Sequence, residues 1–169
     1  MKLLCCSVFC LLIVANEART FQLCELFYYL RSLGLDKYRN IPLSHYVCLA
    51  WFPSKMNTEY YEVADGIPHY GIFRLKSTQS CKNGRNITIN RCKTACNMFL
   101  DDDIRDDVAC LKRVIRNKLE SWPHFKKYCD RNRIGYIFAQ CTYFFQREEW
   151  FLSLTKSKWP HPLHLQVDK

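Results

Sequence analysis

Met98-Phe-Leu-Asp-Asp-Asp-Ile-Arg-Asp-Asp-Val-Ala-Cys110 places five carboxylates within the seven residues Asp101 to Asp107, between apolar flanks and a cysteine. The chain around it is basic, with a formal charge of +9 over 169 residues, so its negative charge is concentrated here. Like charges held in one folded loop repel, and they cost stability unless a cation sits among them. Two readings follow. One is a solvated acidic turn opening a helix; the other is a hard-cation site, whose all-oxygen donors suit Ca²⁺ rather than zinc or copper. An EF-hand is excluded, because counting from Asp101 puts Asp106 and Lys112 where that loop needs Gly and Glu.

Working outward, the length allows one domain with a sizeable core. Aromatic residues make up 15% of the chain, so that core should be rich in rings. The positive balance favours anionic partners, and no nucleic-acid module is visible. Met1 to Ala18 reads as a secretory signal: Lys2 supplies the positive start, Leu3 to Val14 the apolar run and Ala18 the small residue before a cut. That run is too short to span a membrane, and no other stretch is long and apolar enough. The expected product is exported, soluble and monomeric. Of 11 cysteines, Cys5, Cys6 and Cys10 leave with the signal. The remaining eight, in an oxidising compartment, read as four disulfides, with the connectivity left open by spacing alone. Thiolate zinc is disfavoured, since only Cys92 and Cys96 lie close together.

Along the chain, Leu23, Leu26, Phe27 and Leu30 form one face of a helix over Phe21 to Leu33, closed by Gly34. A second helix runs from Pro42 to Phe52, with Ser44 as its cap and Pro53 as its stop. Alternating residues from Thr58 to Leu75 around Asp65-Gly66 read as a small antiparallel hairpin sheet. Cys81 to Cys96 is loop. Asp103 caps a third helix running to about Asn117, with Val108, Leu111 and Ile115 inward, and Trp122 to Cys129 is a short helical turn. The class is α+β.

These residues resemble the C-type lysozyme and α-lactalbumin family. The resemblance rests on the eight cysteines and on Cys24-Glu-Leu, Gly34-Leu-Asp-Lys-Tyr38, Val47-Cys-Leu-Ala50, Asn57-Thr58, Asp65-Gly66, Tyr70-Gly-Ile-Phe73 and Asn90-Arg-Cys92. It covers Phe21 to Cys141, within a domain assigned to residues 19–141. It implies a helical lobe and a β lobe flanking a cleft, with disulfides Cys24–Cys141, Cys48–Cys129, Cys81–Cys96 and Cys92–Cys110. It also likens the acidic run to a calcium loop. Asp101, Asp106 and Asp107 would then give side-chain oxygens, and Met98 and Asp103 backbone carbonyls.

The same resemblance implies that the chemistry is lost. Lysozyme catalysis needs a carboxylic acid and a second carboxylate flanking the sugar. The family's acid falls at Pro53 and its second carboxylate at His69, and neither side chain can replace a carboxyl group. Lys76, Thr78, Gln79 and Ser80 also depart from the family's cleft pattern, while Trp122 matches a cleft tryptophan. Glu59 and Glu62, in the hairpin, are displaced from the helix end and are poor substitutes. The expected function is therefore that of a secreted calcium-binding modulator, as α-lactalbumin is for a galactosyltransferase. Its partner would be a glycan or a secreted or Golgi protein such as a glycosyltransferase. Partner-contact positions of α-lactalbumin hold Trp51-Phe52 and Phe138-Ala139 here. The competing readings are a working muramidase, which would clear cell walls, and a cationic antimicrobial, whose action salt would screen.

Asn86-Ile-Thr88 is an N-glycosylation sequon on a loop. Residues 142–169 extend past the usual family end. They show neither a helical stripe nor strict alternation, and read as disordered or loosely docked. Within them, His161 and His164 are weak metal candidates.

Overall fold

The computed structural model describes residues 19–85, 87–115, 119 and 122–148, the last six of these by their helical backbone. The signal segment, Asn86 and the tail beyond Glu148, with His161 and His164, lie outside the described residues. Helix α1 is Leu23–Ser32 and α2 is Leu43–Ser54, joined by a 3₁₀ turn at Tyr38–Asn40. Strands β1 (Tyr61–Ala64), β2 (Ile67–Tyr70) and β3 (Leu75–Lys76) follow, then a single helical turn, α3 (Ser77–Ser80). A 3₁₀ turn at Cys96–Phe99 leads to α4 (Arg105–Val114), α5 (Pro123–Tyr128) and α6 (Arg131–Glu148).

The apolar stripe of α1 is buried at Leu26, Phe27 and Leu30, and the helix ends as Gly34 turns left-handed at φ +71°. The Leu35 amide then bonds back to the Leu30 carbonyl (3.1 Å), satisfying an orphan acceptor of the last turn. Asp65 and Gly66 both take positive φ, the pair of values a type I′ hairpin requires, and the sheet is antiparallel in the order β1-β2-β3.

Several boundaries differ from expectation. Helix α2 runs past Pro53 to Ser54, because the last turn is tied another way. The Ser54 hydroxyl donates to the Ala50 carbonyl (2.6 Å), and Lys55 and Met56 turn left-handed. Ser44 is a buried first-turn residue, not the cap, which is Pro42. Helix α4 begins at Arg105, with Ile104 at the cap position, and stops at Val114. Asp103 acts one residue earlier, its Oδ1 accepting the Arg105 amide (3.1 Å) in a side-chain turn. Val108, Leu111 and Ile115 are buried as expected.

Helix α6 has no counterpart among the expected elements, and it carries on for seven residues beyond Cys141. Read as an isolated piece, 142–148 has no helical signal. As the continuation of a helix anchored at Cys141, it needs no nucleation of its own.

Disulfides Cys24–Cys141 and Cys48–Cys129 bind α1 to α6 and α2 to the end of α5. Cys81–Cys96 closes the loop after α3, and Cys92–Cys110 ties that loop to α4. These are the four pairs the resemblance implies. One core runs through both lobes, with Tyr46, Phe21, Phe73 and Phe99 its largest fully buried rings. The Tyr46 hydroxyl donates to the Tyr38 carbonyl (2.7 Å), and burial pushes its pKa up to about 12. None of the helices among the described residues is long and apolar enough to cross a membrane.

Candidate functional site

A cavity of about 540 Å³ opens between the sheet and the helical segments that follow α4. From the β lobe it is lined by Ala64, Asp65, Ile67, His69, Arg74 and Lys76, then by Gln79, Ser80 and Arg91. Val114, Trp122, Pro123 and His124 form the opposing side. Of the sequence candidates, His69 and Trp122 therefore meet at one cleft. Pro53 stands in the last turn of α2 and does not line it.

Strand register explains how the floor is built. His69 sits opposite Glu62 on β1 and opposite Lys76 on β3. Arg74, left-handed at φ +55° after the Gly71 turn, is 7% exposed and forms an ion pair with Glu62. Its Nε and Nη1 are buried with no hydrogen-bond partner. Glu62 also accepts the Tyr60 hydroxyl. A carboxylate already bound to a guanidinium and a phenol is not free to hand a proton to a leaving oxygen, so Glu62 makes a poor surrogate.

The two histidines approach edge to face, with ring centroids 6.4 Å apart. Nδ1 of His69 lies 2.9 Å from the Ile67 carbonyl; a carbonyl only accepts, so Nδ1 carries the hydrogen. Burial lowers the His69 pKa, and the neighbouring Lys76 lowers it further. Burial, then the Arg74 charge, His69 and Lys127, bring His124 down to about 4. Both rings are thus neutral at neutral pH, and among the described residues the cleft's charge comes from Arg74, Lys76 and Arg91 against Asp65. Arg74 and His124 drew no attention in the sequence, where basic residues are scattered throughout, and Arg91 entered only as part of the Asn90-Arg-Cys92 motif.

Trp51 and Phe52 do not line the cleft. Trp51 packs on Tyr136 of α6 (6.1 Å between centroids), and Phe52 stacks on Tyr128 (6.0 Å) beneath the Arg133 guanidinium. Phe138, a further partner candidate, lies on α6 at 56% exposure.

The acidic run divides by role. Asp102 Oδ1 accepts from the Thr58 hydroxyl (3.0 Å) and the Arg19 amide (2.9 Å), joining the segment before α1 to the one before β1. Asp103 is bridged to Arg105, which holds its carboxyl below the usual range. Asp107 is different: it is 1% exposed, and neither carboxylate oxygen has a hydrogen-bond partner. Burial pushes its pKa well up, and the charges of Asp106 and Asp101 push it further. Asp106 is raised too, chiefly by burial. Among the described residues no three acidic, His or Cys side chains converge into a ready-made metal cage. A buried, unpartnered carboxylate beside two others is nevertheless the donor chemistry a hard divalent cation fits.

A helical lobe and a small β lobe, stapled by four disulfides around an interlobe cleft, define a lysozyme-like domain. The model of the C-type lysozyme/alpha-lactalbumin family matches residues 19–141. Lysozyme C of Saguinus oedipus is 38% identical over 146 residues, covering 83% of this chain and 99% of its own length. The milk isozyme of lysozyme C from Canis lupus familiaris is 35% identical over 127 residues, covering 73% and 98%. Among solved structures, lysozyme from Equus asinus matches with a TM-score of 0.68 at 32% identity, over 73% of this chain and 98% of that one. Recombinant wild-type canine milk lysozyme, apo-type, gives 0.63 at 37% identity, over 66% and 89%. The chain belongs to the C-type lysozyme/α-lactalbumin family.

Proposed function

We propose that this protein is exported, holds Ca²⁺ in its acidic loop, and uses its lysozyme-like cleft to bind a glycan, or a glycan-handling protein, without cutting. The observation that carries the reading is the cleft wall. Where a retaining or inverting glycosidase needs two carboxyl groups across the sugar, the resemblance assigns His69, which lines the cleft, and Pro53, which stands outside it in the last turn of α2. Among the described residues that line the cleft, Asp65 is the single carboxylate, set against Arg74, Lys76 and Arg91. An oxocarbenium-like transition state is cationic, so cations in the wall raise its energy where carboxylates would lower it.

Asp107 supports the calcium part. Its two unpartnered oxygens would be bound side-chain donors, with Asp101 and Asp106 beside them and the carbonyls of Met98 and Asp103 completing an oxygen set. Calcium here is structural: it neutralises the clustered charge and locks the loop onto the β lobe. Export follows from the reading of Met1 to Ala18 and agrees with the four disulfides; Asn86 is then a candidate glycan acceptor.

The test is clearing of a peptidoglycan suspension by purified calcium-loaded protein, beside an active lysozyme of this family. No clearing above the blank is expected; measurable clearing that scales with protein would end the non-hydrolytic reading.

A further inference from the structure

We infer that the interlobe cleft is a binding site for acidic oligosaccharides, chains bearing sulfate or carboxylate groups, rather than for neutral ones. The inference rests on the non-hydrolytic glycan-binding reading above and names its ligand class. Three cations from separate segments face this one cavity: Arg74 from the turn before β3, Lys76 from β3, and Arg91 from the loop before Cys92. Among the described lining residues a single carboxylate, Asp65, stands against them.

The decisive group is Arg74. A guanidinium that is 7% exposed has left water, and burial correspondingly lowers its pKa. Its ion pair with Glu62 engages Nη2, which leaves Nε and Nη1 without an acceptor. Orphaned buried donors on a cation are costly, and a planar fork of N–H groups matches the paired oxygens of a sulfate or carboxylate. A buried cation on the wall of an accessible cavity is thus an anion site already assembled and desolvated. Lys76 and Arg91 extend the charge along the cleft, so several charged groups of one chain can be met at once. Trp122 on the opposing wall offers a ring face on which a sugar can stack. Hydroxyl-only sugars would offer Lys76, Arg91 and the free donors of Arg74 no anionic group.

The experiment is calorimetric titration of the full-length protein at about 0.15 M salt, where exposed charges are screened beyond roughly 8 Å. Three hexasaccharides serve as probes: a heparin-derived one carrying sulfates, hexagalacturonate carrying carboxylates only, and neutral chitohexaose. At least one acidic chain is expected to bind about tenfold or more tightly than chitohexaose, and which one does so identifies the charged group. Lys76→Gln/Arg91→Gln, both outside the core, should weaken acidic binding by about tenfold or more. Arg31→Gln/Lys37→Gln, away from the cleft, should leave it unchanged. Equal affinity for chitohexaose would overturn the inference while sparing the glycan-binding reading. Equal losses from the two double variants would also overturn it, as binding by overall charge. Release of shorter chitin oligomers during the titration would instead sink the reading beneath it.

Discussion

A Cβ built on Gly71 would stand 2.2 Å from Oδ1 of Asp107 and 2.6 Å from the Phe99 carbonyl oxygen. The glycine's missing side chain is therefore what allows the turn after β2 to close over the acidic loop. The same residue sits at φ +73°, which an L side chain adopts only with strain.

Gly71→Ala should accordingly destabilise the domain by about 1–3 kcal/mol, from overpacking and from the left-handed backbone together. Chemical denaturation measures this directly. A midpoint equal to that of the parent would refute the close approach.

Calcium should raise the melting temperature. A ligand that binds only the folded state adds about 2.7 kcal/mol at a hundredfold excess over its Kd. Asp107→Asn should abolish the shift, because it removes a donor oxygen from the buried position. Asp102→Asn should retain it, since Asp102 is already engaged by Thr58 and Arg19. Calcium-induced stabilisation that survives in Asp107→Asn would exclude the proposed ligand set.

Glu62→Gln removes the partner of a buried guanidinium but leaves the shape intact. Because Glu62 itself is partly exposed, the expected loss is about 1–3 kcal/mol, below that of a fully buried pair. The same change frees Arg74 from its internal competitor, so affinity for an acidic hexasaccharide should rise as stability falls. A parallel fall in both would contradict the competition.

The pH dependence follows from His124. Its folded pKa of about 4 lies below the ordinary 6.5, so the unfolded chain binds more protons between those values. Stability should therefore fall as pH drops from 6.5 towards 4, with His69 contributing in the same direction. His124→Gln should flatten part of that decline in thermal melts from pH 7 to 4. A bound anion favours the charged ring, so acidic oligosaccharides should bind more tightly as the solution is acidified. A decline identical in the variant would assign it to other groups.

Much of this architecture was legible in the residues because the relevant physics is local. The stripe of α1 and the inward face of α4 follow from spacing along a helix, and the Asp65-Gly66 turn from the backbone freedom those residues have. The end of α2 was placed too early and α6 was missed, because side-chain bonds hold each where backbone propensity alone does not. A hydroxyl-to-carbonyl bond lets α2 continue past a proline, and a disulfide gives α6 its anchor at Cys141.

The sequence by itself determined the family, the fold class and the concentration of carboxylates between Asp101 and Asp107. Only the packed chain decided that Asp107, alone among those carboxylates, is sealed from water with both oxygens unpartnered. It likewise decided that Arg74, Lys76, Arg91 and His124 face one cavity. Chemical identity is written at each position, but desolvation and proximity belong to pairs of residues brought together from distant parts of the chain. Those two quantities set whether a charge is a solvated ornament or a binding site.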